Sequence, residues 1–278
     1  MYQFLSPVTV AEASECLKER KNLRILAGGT DLIIALKDKA AVCDYLMDIK
    51  KIPDLKRMEQ TEEGLEIGAA VTLNEMLGSG MLTGWYNAVG QSAASVANHL
   101  LRNRATLVGN ICNASPGGDM LPPCLVTDAY IQTIASAGGR TIPLRDFFTG
   151  VKKHVLQPDE LVMKVVLPKA DGISAFRKKK RIRGHDLAQV SVAVSYSREG
   201  VLRMAFGAAA PTPLLVECGT YEPEALRGKR GEIVDRAIEH TSPIGDVRSS
   251  KEYRLAMLRY LANEVIGEIL EEGEGIDP

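Results

Sequence analysis

Two glycine-bearing stretches constrain this chain more than anything else in it: LAGGTDLI at 26–33 and TLVGNICNASPGGD at 106–119. Glycine lets backbone come close to a ligand and reach positive φ, so that consecutive N–H groups can converge on one anion. The second is rich in small hydroxyl and amide side chains, the first supplies Thr30, and neither contains Lys or Arg. A loop that grips phosphate through N–H groups and Thr, Ser or Asn side chains suits a diphosphate held permanently, not a triphosphate being cleaved. Two such loops can clasp one pyrophosphate from two sides. For GGTD alone, a bare structural turn accounts for the residues equally well.

Other phosphate sites fit less well. The first loop is not GxGxxG, and no acidic residue follows at the right distance on a second strand, which disfavours a nicotinamide-binding Rossmann unit. GxxxxGK[ST] is absent. With 278 residues the chain has room for two or three lobes. A net charge of −1 gives no reason to invoke nucleic acid or an anionic membrane. The apolar runs fall well short of the ~18 residues of a membrane span. Tyr2-Gln3-Phe4 does not open a signal peptide, so a cytoplasmic location is expected. The five cysteines show no CxxC or CxH spacing, so neither an iron–sulfur cluster nor a structural zinc is expected from this chain alone. Reduced, mostly buried thiols are the simplest reading. Cys112 stands out only because it lies inside the second loop.

Read in order, Thr9 and Glu12 form a capping box for a first helix, and residues 23–27 make a short buried strand that runs into Gly28. A helix over 32–37 and a strand over 45–49 complete a β-loop-α-β unit, placing the first loop at a strand-to-helix junction. Residues 64–71 alternate like a strand, Thr72 and Glu75 make a second capping box, and 85–101 reads as one long helix. A hairpin over 130–135 and 140–144 and a strand over 161–167 follow. Beyond the boundary at 169–172, a hairpin is expected over 190–196 and 201–208, then a short helix over 231–240. A final helix over 250–271 carries Leu255, Leu258, Leu261, Val265 and Ile269 on one face.

One further segment draws attention: the basic run 177–181, RKKKR, with Arg183 beyond it and Gly184-His185-Asp186-Leu187 next. A solvated face explains such a run as well as a site does, and a lone His beside Asp is commonly a structural pair. The four histidines are not spaced for metal. No nucleophile elbow or paired carboxylates are evident, so hydrolysis finds no support.

Taken together, LAGGTDLI, TLVGNICNASPGGD, GHDLAQVSVAV, FGAAAPTP and SSKEYRLAML resemble, in order, the signatures of the FAD-binding medium subunit of the molybdenum hydroxylases, which include xanthine and carbon monoxide dehydrogenases. The resemblance covers nearly the whole chain. It implies an α+β fold: a two-lobed FAD-binding domain of the vanillyl-alcohol-oxidase (PCMH) type, 1–56 and 57–169, then a smaller α+β C-terminal domain, 170–278. By matching position, Leu26, Ala27, Gly28, Gly29, Thr30, Asp31, Leu32 and Ile33 wrap the pyrophosphate from one side. Thr106, Val108, Gly109 and Asn110 wrap it from the other, with Ser115 in the same loop. Asp119 hydrogen-bonds the FAD and Val162 lies near the adenine. Arg183, His185 and Leu187 approach the isoalloxazine, with Leu187 covering the ring. One basic residue meets the cofactor. Lys179 is the residue carried over by position, although a one-residue slip leaves Lys178 equally open.

Two departures bear on this. Val108 stands where the family has a glycine, which reduces room beside the phosphate. The cysteine-bearing insertion of the benzoyl-CoA reductase branch is missing, which argues against that branch. The resemblance implies FAD in this chain, molybdopterin on a large partner subunit, [2Fe-2S] clusters on a small one, and NAD+ or another acceptor. It also implies a dimer of heterotrimers. A xanthine or purine dehydrogenase is the first expectation. A carbon monoxide, aldehyde or nicotinate dehydrogenase complex is the second. A self-contained flavin oxidase, or a binding module in which the loops are only turns, remains as a rival.

Overall fold

The computed structural model describes residues 2–182, 184 and 186–273. After strand β1 (Gln3–Leu5), helix α1 (Val10–Glu19) starts where Thr9 accepts the Glu12 N–H at 3.2 Å. The carboxylate of Glu12 reaches back one residue further than a capping box requires, to the Val8 N–H at 2.8 Å. Strand β2 (Leu23–Leu26), helix α2 (Leu32–Lys37) and strand β3 (Tyr45–Asp48) then complete a three-stranded parallel sheet in the order β1-β3-β2. The first glycine loop therefore leaves the C-terminal end of a parallel strand, the edge at which open α/β sheets bind ligands.

The next lobe contains β4 (Met58–Gln60), β5 (Gly64–Gly68), α3 (Leu73–Gly78), α4 (Asn87–Ser95), α5 (His99–Arg102), α6 (Leu107–Asn113) and α7 (Leu121–Val126). These are followed by β6 (Tyr130–Ile134), β7 (Thr141–Pro143), β8 (Phe148–Gly150), β9 (Lys153–His154) and β10 (Leu161–Pro168). Five of the strands form an antiparallel sheet, β4-β5-β10-β6-β7, and β8 pairs with β9. Strand β5 stops at Gly68, three residues earlier than the alternation predicts. There the chain folds onto the preceding turn, with the Gly68 N–H on Arg57 O and the Ala70 N–H on Leu55 O. The Thr72–Glu75 capping box is complete.

The long helix expected over 85–101 is instead a 3-10 turn followed by α4 and α5. Ala97 takes φ +45° between them, and Asn98 caps α5 by accepting the Leu101 N–H at 2.9 Å. An Asn whose side chain caps a new helix competes with continuation of the old one. Arg102 then donates to the carbonyls of Ala94 and Val96 at the end of α4.

The last lobe is a four-stranded antiparallel sheet, β11 (Gly172–Lys179), β12 (Val190–Ser197), β13 (Val201–Gly207) and β14 (Leu214–Thr220), followed by α8 (Pro223–Glu239) and α9 (Lys251–Gly273). Helix α8 starts eight residues before the expected 231, at Pro223 in the first turn, a position proline favours. Strand β12 is buried on both faces, and its sequence divides accordingly. Val190, Val192 and Val194 pack in the core shared with α8 and α9, while Ser191, Ala193 and Ser195 face α7 of the preceding lobe. The small face allows close approach: Ser195 donates to Val126 O at 2.9 Å, and a Cβ at Gly207 would lie 3.0 Å from Pro122. The other large core runs without a break through the first two lobes and includes Phe176, Ala193 and Ala205 of this sheet. No described helix is long and apolar enough to cross a membrane.

Candidate functional site

The first glycine loop meets, backbone to backbone, the two residues that lead into the second stretch. A Cβ on Gly28 would lie 1.9 Å from the Arg104 carbonyl oxygen and 3.1 Å from Ala105 Cα, so only glycine permits this contact. Gly29 follows at φ +77°, and Ala27, Gly28, Gly29 and Thr30 are half-buried. Asp31 opens α2 without capping it, Leu32 is half-buried and Ile33 is exposed. Lys50 fastens the loop from behind, donating to Ala27 O at 3.1 Å while pairing with Asp48 at 2.7 Å. On the other side, Ala105 O accepts the Leu73 N–H, and Thr72 bridges Thr106. The chain therefore enters the second stretch already fixed against the first.

That second stretch is a short helix rather than an open loop. Thr106, buried, caps α6 by accepting the Gly109 N–H at 2.9 Å, and its carbonyl takes the Asn110 N–H. Gly109 has a structural reason: a Cβ there would lie 2.7 Å from the Thr106 hydroxyl. Val108 sends its side chain into the core. The loss of room expected from valine at this position is thus absorbed inside the protein. Ala114 ends α6 at φ +46°, Ser115 O accepts the Gly118 N–H, and Asn110 Oδ1 accepts the Met120 N–H at 3.3 Å. The far end of the stretch is thereby folded back to its start.

This return brings Asp119 against β11. Lys178 Nζ lies 2.5 Å from Asp119 Oδ2, with the two side chains 3% and 12% exposed. Among the described residues Oδ1 of the same carboxylate is buried with no hydrogen-bond partner, which is costly unless a ligand satisfies it. Burial pushes the Asp119 carboxyl up, with the Lys178 ammonium pulling the other way. Strand alternation identifies the lysine. Ser174, Phe176 and Lys178 face the first two lobes, as shown by Ser174 Oγ on Trp85 O at 2.7 Å, whereas Arg177 reaches Glu268 of α9 from the opposite face. Lys179 belongs to that opposite face, and its carbonyl accepts the Gln189 N–H. The structure therefore brings Lys178, and not Lys179, to Asp119.

The remaining expected residues are spread more widely. Val162 is buried at a bulge in β10, a strand against which α6 packs. Leu187 is 63% exposed beside the end of β11, between the half-buried Asp186 and the buried Ala188. Arg183 and His185 lie outside the described residues. Cys112 is half-buried, and burial pushes its thiol up to about 12, so it is no nucleophile at neutral pH. A cavity of about 440 Å³ opens beside the loop junction, with Lys50, Lys56, Thr72, Asn74 and Arg104 in its wall. Sequence reasoning missed these flanking cations because they lie outside both glycine stretches. A strand pattern over 172–179 would have pointed to Lys178.

Residues 1–170 match the family described as the FAD binding domain in molybdopterin dehydrogenase. The chain is 29% identical over 291 aligned positions to the xanthine dehydrogenase FAD-binding subunit of Escherichia coli O157:H7, covering 99% of each. It is 28% identical to the carbon monoxide dehydrogenase medium chain of Hydrogenophaga pseudoflava, covering 92% of each. Its structure superposes on carbon monoxide dehydrogenase from Hydrogenophaga pseudoflava with a TM-score of 0.87 at 26% identity, covering 96% of each chain. The Asp119 oxygen suits a group that presents hydrogen-bond donors, and the glycine junction suits a diphosphate. With PCMH-type α+β architecture and the family match over more than half its length, this chain belongs to the FAD-binding subunits of the molybdopterin dehydrogenases and is an oxidoreductase subunit.

Proposed function

We propose that this chain is the electron-transfer subunit of a molybdenum hydroxylase complex acting on xanthine or a related purine. The observation that carries the site is the Asp119 carboxylate at the end of the second glycine stretch, gripped by Lys178 through one oxygen and with the other unpartnered among the described residues. In this reading Leu26, Ala27, Gly28, Gly29, Thr30, Asp31, Leu32 and Ile33 hold one side of the FAD diphosphate. Thr106, Val108, Gly109, Asn110 and Ser115 hold the other, through backbone and capping groups. Asp119 accepts a hydrogen bond from the cofactor, Val162 lines the adenine end, and Leu187 shields the ring from water. When bound, FAD supplies a relay between one-electron and two-electron chemistry, between a [2Fe-2S] partner and NAD+ or another acceptor. The lobes 1–56 and 57–169 flank the cofactor, and 170–278 contributes Lys178 and the Leu187 segment.

The partners in this reading are a molybdopterin-binding large subunit and an iron–sulfur small subunit, assembled as a dimer of heterotrimers. The purine assignment is supported by the end-to-end match to the xanthine dehydrogenase subunit. A carbon monoxide complex is the second reading, favoured by the superposition at TM-score 0.87. A visible absorption spectrum of the purified chain, with the released cofactor identified by chromatography, tests the first step. FAD in about one-to-one amount supports the cradle, and FMN or no flavin overturns it. Reduction of NAD+ by the assembled complex with xanthine, and none with carbon monoxide or aldehydes, is the expected substrate result.

A further inference from the structure

Helix α9 carries a buried cation that the cofactor cradle does not use. Arg254, in its first turns, is 1% exposed. Its guanidinium donates from one terminal nitrogen to the Gln189 carbonyl and from the other to Asp246 Oδ1 at 2.9 Å, while Nε is buried without a partner among the described residues. Asp246 is committed on the same side: it takes Arg248 Nε and a terminal nitrogen at 3.0 and 2.7 Å, together with the N–H groups of Arg248 and Ser249. These contacts hold its carboxyl below the usual range, those from Arg248 contributing most. Gln189 closes the arrangement, since its side chain donates to Arg248 O at 2.7 Å and its N–H donates to Lys179 O at 2.8 Å.

The chain at Gln189 is thus pinned from two directions, to the end of β11 on one side and to the 246–249 turn and α9 on the other. Two residues upstream stands Leu187, exposed and apolar. One residue before Lys179 stands Lys178, the partner of Asp119. Burying a guanidinium away from water is unfavourable, and an apolar side chain of similar volume could fill the space. What an apolar residue cannot do is hold a backbone carbonyl and a turn carboxylate at fixed separation through two forked donors.

We propose that Arg254 is a positioning residue for the flavin: by clamping the Gln189 carbonyl to the 246–249 turn it sets where Leu187 stands over the ring. This rests on the reading of Leu187 as the residue that covers the isoalloxazine. Loss of the clamp lets residues 186–189 move while the sheet and α9 remain in place.

The test uses the full chain, with and without FAD, as wild type, Arg254→Lys, Arg254→Met and Leu187→Ala. Hydrogen exchange reads the clamp without any flavin. The Gln189 amide is expected to exchange about tenfold faster in Arg254→Met than in wild type, with β12 and β13 unchanged. In the FAD-loaded chain, Arg254→Met is expected to shift the visible circular dichroism and fluorescence of the bound flavin in the same direction as Leu187→Ala. Arg254→Lys keeps the charge but loses the fork, folds, and gives an intermediate shift. The double variant Leu187→Ala/Arg254→Met is expected to shift no further than Leu187→Ala alone. Unchanged exchange at Gln189 in both Arg254 variants overturns the clamp. Faster exchange with a wild-type flavin spectrum in Arg254→Met, while Leu187→Ala shifts it, overturns the link to the ring. A Leu187→Ala chain whose flavin spectrum is wild type, or a wild type that takes up no FAD, sinks instead the reading on which the proposal rests.

Discussion

Two segments flank the proposed cofactor site, and they are held in place by opposite means. The 26–33 loop is fixed by the absence of a side chain: Gly28 lies against the Arg104 carbonyl, at a distance where any Cβ would overlap it. The 186–189 segment is fixed by the longest side chain in the chemistry available, a buried arginine reaching across from α9. Backbone-on-backbone contact tolerates no substitution and offers no adjustment. A side-chain clamp tolerates conservative change in steps and can be loosened without unfolding what it touches. In the proposed site, the rigid device would hold the diphosphate end and the graded device the ring end.

Gly28→Val is the most severe way to test this contrast. The side chain has to displace the Arg104 backbone, with an expected cost of about 3 kcal/mol and loss of bound FAD. Denaturant unfolding and flavin stoichiometry would show it, and a variant that keeps both would mean the loops are not locked together. Lys178→Met comes next, because it leaves the Asp119 carboxylate buried and unpaired. A loss of about 3 kcal/mol is expected, with weaker FAD retention than in Lys179→Met, which serves as the control from the opposite strand face. Equal effects at 178 and 179 would undo the assignment made by strand alternation.

Glu160, immediately before the first residue of β10, provides a buried charge of the structural kind for comparison. It accepts from Arg140 at 2.8 Å, Thr133 at 2.6 Å and the Gln157 N–H at 3.0 Å. Burial alone would push its carboxyl up, but these bonds hold it down at about 2. The folded value lies below the unfolded one, so the stabilisation is complete above the unfolded value and fades as pH falls toward 2. Glu160→Gln should cost about 2 kcal/mol at neutral pH and flatten the acid limb of a stability profile, leaving the flavin spectrum unchanged. The smallest effect is expected at the seam between lobes. Ser195→Ala removes one hydrogen bond to Val126 O, a loss of about 1 kcal/mol in thermal unfolding, with FAD binding intact.

Much of the fold was legible in the residues. The Thr72–Glu75 box, the strand that runs into Gly28, the β12–β13 hairpin of the last sheet and the apolar face of α9 are local patterns, and local patterns record local preferences. Among the elements that were not legible, three show why. Strand β11 carries RKK at its end and was hidden by its charge, because only the pairing with β12 and the Asp119 contact explain lysine in a strand. The division of 85–101 into two helices depended on Asn98 choosing to cap. Helix α8 was shortened in the sequence reading by Gly228 and Gly231, which sit in open space and cost the helix only propensity.

Residue order alone shows two glycine-bearing stretches, the first at the end of a strand, and the resemblance to a flavoprotein subunit. Those are properties of neighbours along the chain. Folding in three dimensions is what brings Gly28 to Arg104, Lys178 rather than Lys179 to Asp119, and Arg254 to Gln189. Each of these joins residues far apart in sequence, and their distance and facing are set by sheet register and helix packing, which no local pattern records.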